Sequence, residues 1–483
     1  MRRPRTKLVT QLFCLLFVGA YFSACSSPTP IPARPELIKQ VEVDFTPPEI
    51  EKWKTENGLE VFLLEDHELP LVSGQFYFRF GSLTDDSSMR GQTDALMSQL
   101  RAGGILGSTP QSLDTELDAV GASIEGSGGG EFSSLSFFSH RDDEDLIFSK
   151  LSGMLTAPAF DERRLALWKS QALDAIGRRR EDPDVIAGAT FATALYGENS
   201  PYSRLPSRET ISAITSEKLK ELAKSKILPG NSILAVSGDI TRKQLDELIE
   251  KHFKTWSGSV AINELPTPSN FTPKAGLYFV DSKFEQSAVL IGHRGPERLS
   301  KDQFAISVFN RYFGRGGFGS VLFMEVRSKR GFAYDVDGGF NPGAKTGDFV
   351  INMGTRSEVT ELAIREVINQ LSKARTEPPP KVKIDDVKEA VKQGFIFNFA
   401  KPVSALTREV FLDLLGYPKD FNKTYLPSIS AVTEEEVRQC AADRISIDDL
   451  IIVVVGKLDG KNLAKSLGVP FYDVKFDTFP QIQ

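Results

Sequence analysis

The chain of 483 residues repeats itself. Asn57-Gly58-Leu59 opens a strand-like run, and Gly276-Leu277 opens another 218 residues beyond Gly58. Ile211-Ser212-Ala213-Ile214-Thr215 returns at the same offset as Ile429-Ser430-Ala431-Val432-Thr433, and Ile233–Gly238 returns as Ile451–Gly456. Each match alone is weak, but three in one order at one offset argue for a duplicated unit. Such a chain folds as two similar domains, each long enough for its own core. The Pro-rich stretch 263–275 supplies the linker, so the expected domains are 46–262 and 276–483.

Within each copy, helices and strands are mixed. Val72, Gly74, Phe76, Phe78 and Phe80 alternate with mostly polar neighbours, the pattern of a strand with one buried face. Leu113, Leu117 and Val120 form a helical stripe. Ala122–Ile124 and Phe132–Phe138 read as strands around a hairpin loop rich in glycine at 126, 128, 129 and 130. Helices are expected from about Glu144 to Lys226, then an apolar strand at 232–237 and a helix at 241–253. Strands clustered between runs of helices favour an α+β fold over a doubly wound parallel sheet.

Hydrophobic residues make up 41% and charged residues 25%, ordinary for a globular protein, which excludes disordered and collagen-like classes. The formal charge is −6 and the basic residues are not pooled into runs, so no nucleic-acid partner is expected. Arg2, Arg3, Arg5 and Lys7 precede a mostly apolar stretch from Leu8 to Ala24, ending in Phe22-Ser23-Ala24-Cys25. This resembles a bacterial lipoprotein signal over residues 1–24, with Cys25 as the lipidation site and a Pro-rich tether over 25–45. The resemblance implies a mature chain of charge about −10, anchored by lipid in the cell envelope, on a periplasmic face or the outer membrane. Cys14 leaves with the signal and Cys440 then has no partner, so no internal disulfide is expected.

Five segments carry a wider resemblance: Asn57-Gly58-Leu59-Glu60-Val61, Phe80-Gly81-Ser82, Gly103–Gly107, Phe313-Gly314-Arg315-Gly316-Gly317, and the run from Glu325 to Tyr334. Together they resemble the insulinase/pitrilysin-type (M16) peptidases, which include the mitochondrial processing peptidases. The resemblance implies two similar α+β domains of the LuxS/mitochondrial-processing-peptidase-like type, one half of a clam-shell that holds unfolded peptide. Active members carry His-x-x-Glu-His on a helix. Two His four residues apart on one face hold Zn²⁺, and the Glu is general base for the metal-bound water. A third ligand, Glu, follows about seventy-five residues later in the family pattern.

The matching places here are Asp94, Met97 and Ser98, with Asp174 and Ala175 near the third-ligand position. A thioether cannot take up a proton as base, and one carboxylate with a serine is a poor Zn²⁺ site. His67, His140, His252 and His293 are scattered, with no pair at ligand spacing. No metal is expected in this chain.

Arg327 and Tyr334 match an Arg/Tyr pair that the second domain lends to the family's active site. Both are donors suited to a scissile carbonyl and its developing oxyanion. Gly314, Gly316 and Gly317 match a loop near the bound peptide, and without a Lys-Ser/Thr ending the run is not a phosphate loop. The resemblance thus implies a non-catalytic subunit, inactive alone, that binds unfolded peptide on an edge strand and offers Arg327 and Tyr334 to a zinc-bearing M16 partner. The alternatives are a tethered peptide-binding scaffold and an enzyme with an unrecognised metal site.

Overall fold

The computed structural model describes residues 45–482 except 263, 269 and 270, and Thr46–Gln483 form one compact unit. The signal, Cys25 and most of the tether lie outside the described residues.

The first sheet contains β1 (Glu51–Lys54), β2 (Glu60–Glu65), β3 (Leu71–Phe78), β4 (Ser123–Gly128), β5 (Ser133–His140) and β6 (Ser232–Gly238), in the order β1-β2-β6-β3-β5-β4. The second contains β7 (Gly276–Asp281), β8 (Gln286–Gly295), β9 (Ala333–Asn341), β10 (Gly347–Arg356), β11 (Ile451–Gly456), β12 (Phe471–Phe476) and β13 (Pro480–Ile482), in the order β13-β12-β7-β11-β8-β10-β9. The run β2-β6-β3-β5-β4 therefore recurs as β7-β11-β8-β10-β9, each with one parallel pair and antiparallel neighbours. This is an α+β fold with two mixed sheets, as the clustering of strands predicts.

The register refines the repeat. Ile233 and Ile451, related by the offset of 218, pair with Glu60 and Gly276, which are 216 apart. A slip of two residues keeps every side chain on its own face, which a slip of one would not.

The central strands β6 and β11 are nearly continuous apolar runs because both their faces are covered. Val61, Leu63, Val72, Phe76, Leu234 and Val236 point into a core shared with helices of the first half. Leu277, Phe279, Ile452 and Val454 do the same in the second.

The opposite faces are covered by exchange. Helix α3 (Pro183–Tyr196) leaves the first half, and its Ile186, Phe191 and Leu195 pack on Tyr278, Val280, Ile451 and Val453 of the second sheet. Helix α7 (Pro402–Leu414) returns the gesture, seating Leu406 and Val410 on Phe62, Tyr77, Ile233 and Ala235 of the first. Both helices begin at a proline, whose missing N–H costs nothing in the first turn. The single buried face expected for β3 is thus corrected: Tyr77 on its other side is buried as well, under a helix some 330 residues away in sequence.

Candidate functional site

The helix matching the family's metal motif is α1 (Gln92–Ala102). It starts from Gly91, at φ 96°, a conformation that favours glycine. The buried Asp85 holds this start, accepting from Gly91 N at 3.1 Å and Thr93 Oγ1 at 2.5 Å, with Arg90 Nη1 at 4.0 Å. Burial raises the Asp85 carboxyl above its ordinary pKa, opposed by the Thr93 and Gly91 hydrogen bonds and then Arg90.

Asp94 is exposed, Ser98 half-buried, and Met97 fully buried in the core. Desolvation raises the Asp94 carboxyl above the usual range, and the charge of Asp85 adds to this. β4 crosses directly over these residues. A Cβ on Gly126 would lie 2.0 Å from Met97 O, and one on Gly128 would lie 2.4 Å from Asp94 Oδ1. These two glycines belong to a strand, not to the flexible loop expected from their composition; they are there because the backbone passes too close for a side chain.

Asp174 and Ala175 lie on α2 (Glu162–Arg178), which packs against α1, and both are exposed. One carboxylate, a buried thioether and a hydroxyl do not fit Zn²⁺ in the family's manner. Among the described residues, no three His, Cys, Asp or Glu form a group able to hold a metal ion. The histidines have other partners. His67 Nδ1 meets Asp239 at 2.7 Å, His252 Nε2 meets Asp145 at 2.8 Å, and the buried His293 lies stacked on Phe349. His140 Nδ1 accepts from Asp142 N.

The second half repeats the close crossing with different chemistry. A Cβ on Gly339 would lie 2.4 Å from Oδ1 of Asn310, the last residue of α4 (Gln303–Asn310). Asn310 uses its amide fully: Nδ2 donates to Phe340 O and Oδ1 accepts from Phe340 N, both at 2.8 Å. Asp94, at the equivalent crossing of the first half, faces solvent instead.

Arg327 and Tyr334 come together. Arg327 lies on a π-helical turn, Phe323–Ser328, and Tyr334 near the start of β9, the edge strand of its sheet. The guanidinium carbon stands 5.8 Å from the Tyr334 ring centroid and 4.8 Å from that of Phe323. Tyr334 is 73% exposed, so its ring is not a core residue. The neighbouring cations are paired: Lys329 and Arg330 reach Glu325 at 2.6 and 3.1 Å. Arg327 is exposed and has no ion pair among the described residues.

Of the glycines near it, Gly314 is buried, and a Cβ there would fall 2.2 Å from Gly338 O. Gly316 has the same constraint against Arg311 O, while Gly317, at φ 63°, opens into free space. Phe318, 77% exposed, extends the aromatic line edge-on to Phe323 at 4.9 Å. Sequence reading missed this Phe318–Phe323 pair. Its only signal was two aromatic residues flanking glycines.

These features define a class: a duplicated α+β fold whose helix α1 carries Asp94, Met97 and Ser98 and whose second half brings exposed Arg327 and Tyr334 together. The family model "Peptidase M16 inactive domain" matches residues 213–391. The chain is thus similar to M16 peptidases of the inactive-domain type, the family match falling on well under half of its length. It is 28% identical over 237 residues to an uncharacterized zinc protease of Mycobacterium leprae, a match spanning 47% of this chain and about half (52%) of that relative. It is 24% identical over 399 residues to a protein of Helicobacter pylori named a non-peptidase homolog, covering 81% of this chain and 90% of that one. A crystal structure of an M16 inactive domain from Pseudomonas fluorescens superposes with a TM-score of 0.77 at 23% identity, over 84% of this chain and 98% of that one.

Proposed function

We propose that this chain is the zinc-less subunit of a two-chain M16 metallopeptidase. It binds unfolded peptide by strand addition at the edge strand β4, which lies over α1, and presents Arg327 and Tyr334 to a scissile carbonyl held at a partner's zinc. The observation that carries the reading is the meeting of Arg327 and Tyr334, both exposed and the arginine without a counter-ion among the described residues, in a chain whose own helix offers Asp94, Met97 and Ser98 in place of ligands. Donors of this kind are useful only opposite a nucleophile, and among the described residues no group able to hold a metal for one is found. A lipid on Cys25 would hold the subunit in the cell envelope.

The test is co-purification from envelope extracts followed by metal analysis of each chain. Zinc in a companion chain and none in this one supports the reading; one tightly bound zinc per molecule of this chain refutes it. The second reading is a tethered peptide-binding scaffold, favoured by the relative named a non-peptidase homolog. It predicts peptide binding with no effect on any peptidase.

A further inference from the structure

A cavity of about 760 Å³ opens in the second half between α4, the turn Ile396–Phe399, α7 and α8 (Phe421–Ala431). A second, of about 410 Å³, adjoins it and shares the wall formed by Ser307, Asn310, Arg315, Asn398, Arg408 and Tyr425. Neither includes Arg327 or Tyr334.

The charge of this trough is one-sided. Arg298, Arg315 and Arg408 line the first cavity and Arg311, Arg315 and Arg408 the second, yet among the described residues no Asp or Glu lines either, in a chain of net charge −6. The carboxylates of α7 are engaged elsewhere. Glu409 pairs with Lys52 at 2.5 Å and accepts from Asn422 Nδ2 at 2.7 Å, and Asp413 lies 3.8 Å from Arg79.

The arginines differ in what they have left to give. Arg298 is committed to Glu131 at 2.7 Å. Arg315 donates to Asn341 Oδ1, and the charges of Asp337 and Asp348 also act on it. Arg408 donates through Nε to Asn422 Oδ1 at 2.7 Å, and its guanidinium lies 5.1, 5.8 and 5.9 Å from the ring centroids of Phe395, Tyr425 and Phe399. The rings fix the plane of the head group without neutralising it, and its terminal nitrogens have no protein acceptor among the described residues. At the mouth, Phe397 is 73% exposed, and Val403 and Phe411 are each 40% exposed. A pre-oriented guanidinium beside bare apolar side chains suits a carboxylate attached to an apolar group.

We propose that this trough binds an acidic peptide segment bearing aromatic or aliphatic side chains, with a carboxylate on Arg408 and an apolar side chain against Phe397. This rests on the reading that the chain binds peptide, and adds the charge class of what it takes. An extended occupant is favoured because the two cavities share a wall and continue one another, whereas a small carboxylate would leave Phe397 bare.

The test is fluorescence anisotropy on the full chain without any peptidase partner. The probe is a short labelled peptide of Asp, Glu, Phe and Leu, with a twin in which Lys replaces each acidic residue. The acidic peptide should bind about tenfold or more tightly than its twin, with affinity falling as salt rises. Arg408→Gln should weaken it about tenfold, and Phe397→Ser, on an exposed side chain that cannot unfold the protein, should weaken it several-fold. Equal binding of the two peptides, unchanged binding by Phe397→Ser, or full competition by phenylpropionate alone would overturn the proposal. Because no partner is present, loss of the Arg327 reading leaves this result standing, and the reverse also holds.

Discussion

The guanidinium of Arg327 lies over the ring of Tyr334, 5.8 Å from its centroid, although seven positions and a change from π-helical turn to strand separate them. Gly331, at φ 65°, makes the reversal between them possible, and Phe332 N closes it on Val326 O. The contact orients a cation that no carboxylate holds among the described residues, a state that suits the proposed role of meeting developing negative charge.

Arg327→Ala is therefore expected to lower the turnover of a reconstituted complex about 10²–10³-fold, with Tyr334→Phe acting in the same direction. Both residues are exposed, so the thermal midpoint of the isolated chain should not move. Steady-state kinetics of the co-purified pair decides this; unchanged kcat would remove both residues from the active site.

Gly126→Ala should destabilise the fold by about 1–3 kcal/mol, since its Cβ would overlap the backbone oxygen of Met97 and neither element can yield freely. Gly128→Ala should cost less, because the nearest atom is the end of the exposed Asp94 side chain. Urea denaturation of the two variants side by side measures the difference.

Leu406→Ala should cost about 2–4 kcal/mol, as for other buried leucines. Its address makes the outcome diagnostic. Leu406 lies in the second half but packs on Phe62 and Ile233 of the first, so hydrogen exchange should quicken in β2 and β6. A loss confined to the second half would contradict the helix exchange.

Glu144 opens its helix with Oε1 buried and no hydrogen-bond partner among the described residues. Burial, with the nearby charge of Asp239 second, pushes its pKa up from 4.5 to about 7, against the opposing charge of Arg141. The folded chain then holds a proton that the unfolded chain releases between these values, so stability falls as pH rises from 4.5 to about 7. Glu144→Gln should remove that loss and stabilise the protein above neutrality by about 1–3 kcal/mol, with little gain below the unfolded-state pKa. Denaturation midpoints on either side of the window test it; parallel curves for the two proteins would be contrary.

How much of this could be read from the sequence depends on how locally each feature is written. The strand at 232–237 and the helix at 241–253 appear within a residue of their places because apolar periodicity and a Thr241 cap act over single turns. The glycines at 126 and 128 were misread for the opposite reason. Composition cannot separate a glycine that gives freedom from one that gives room, and here the decisive neighbour, Met97, lies on another element.

The sequence by itself determined that the unit is duplicated and that Asp94, Met97 and Ser98, none of them His, stand at the places where the resembled family carries its motif, since identity and spacing are one-dimensional facts. Only the tertiary structure decided which helix covers which sheet, that Arg327 finds Tyr334, and that four arginines line a trough whose described lining holds no carboxylate. Those outcomes depend on which faces of distant segments meet when apolar surface leaves water, and that burial is set by shape and area, not by order along the chain.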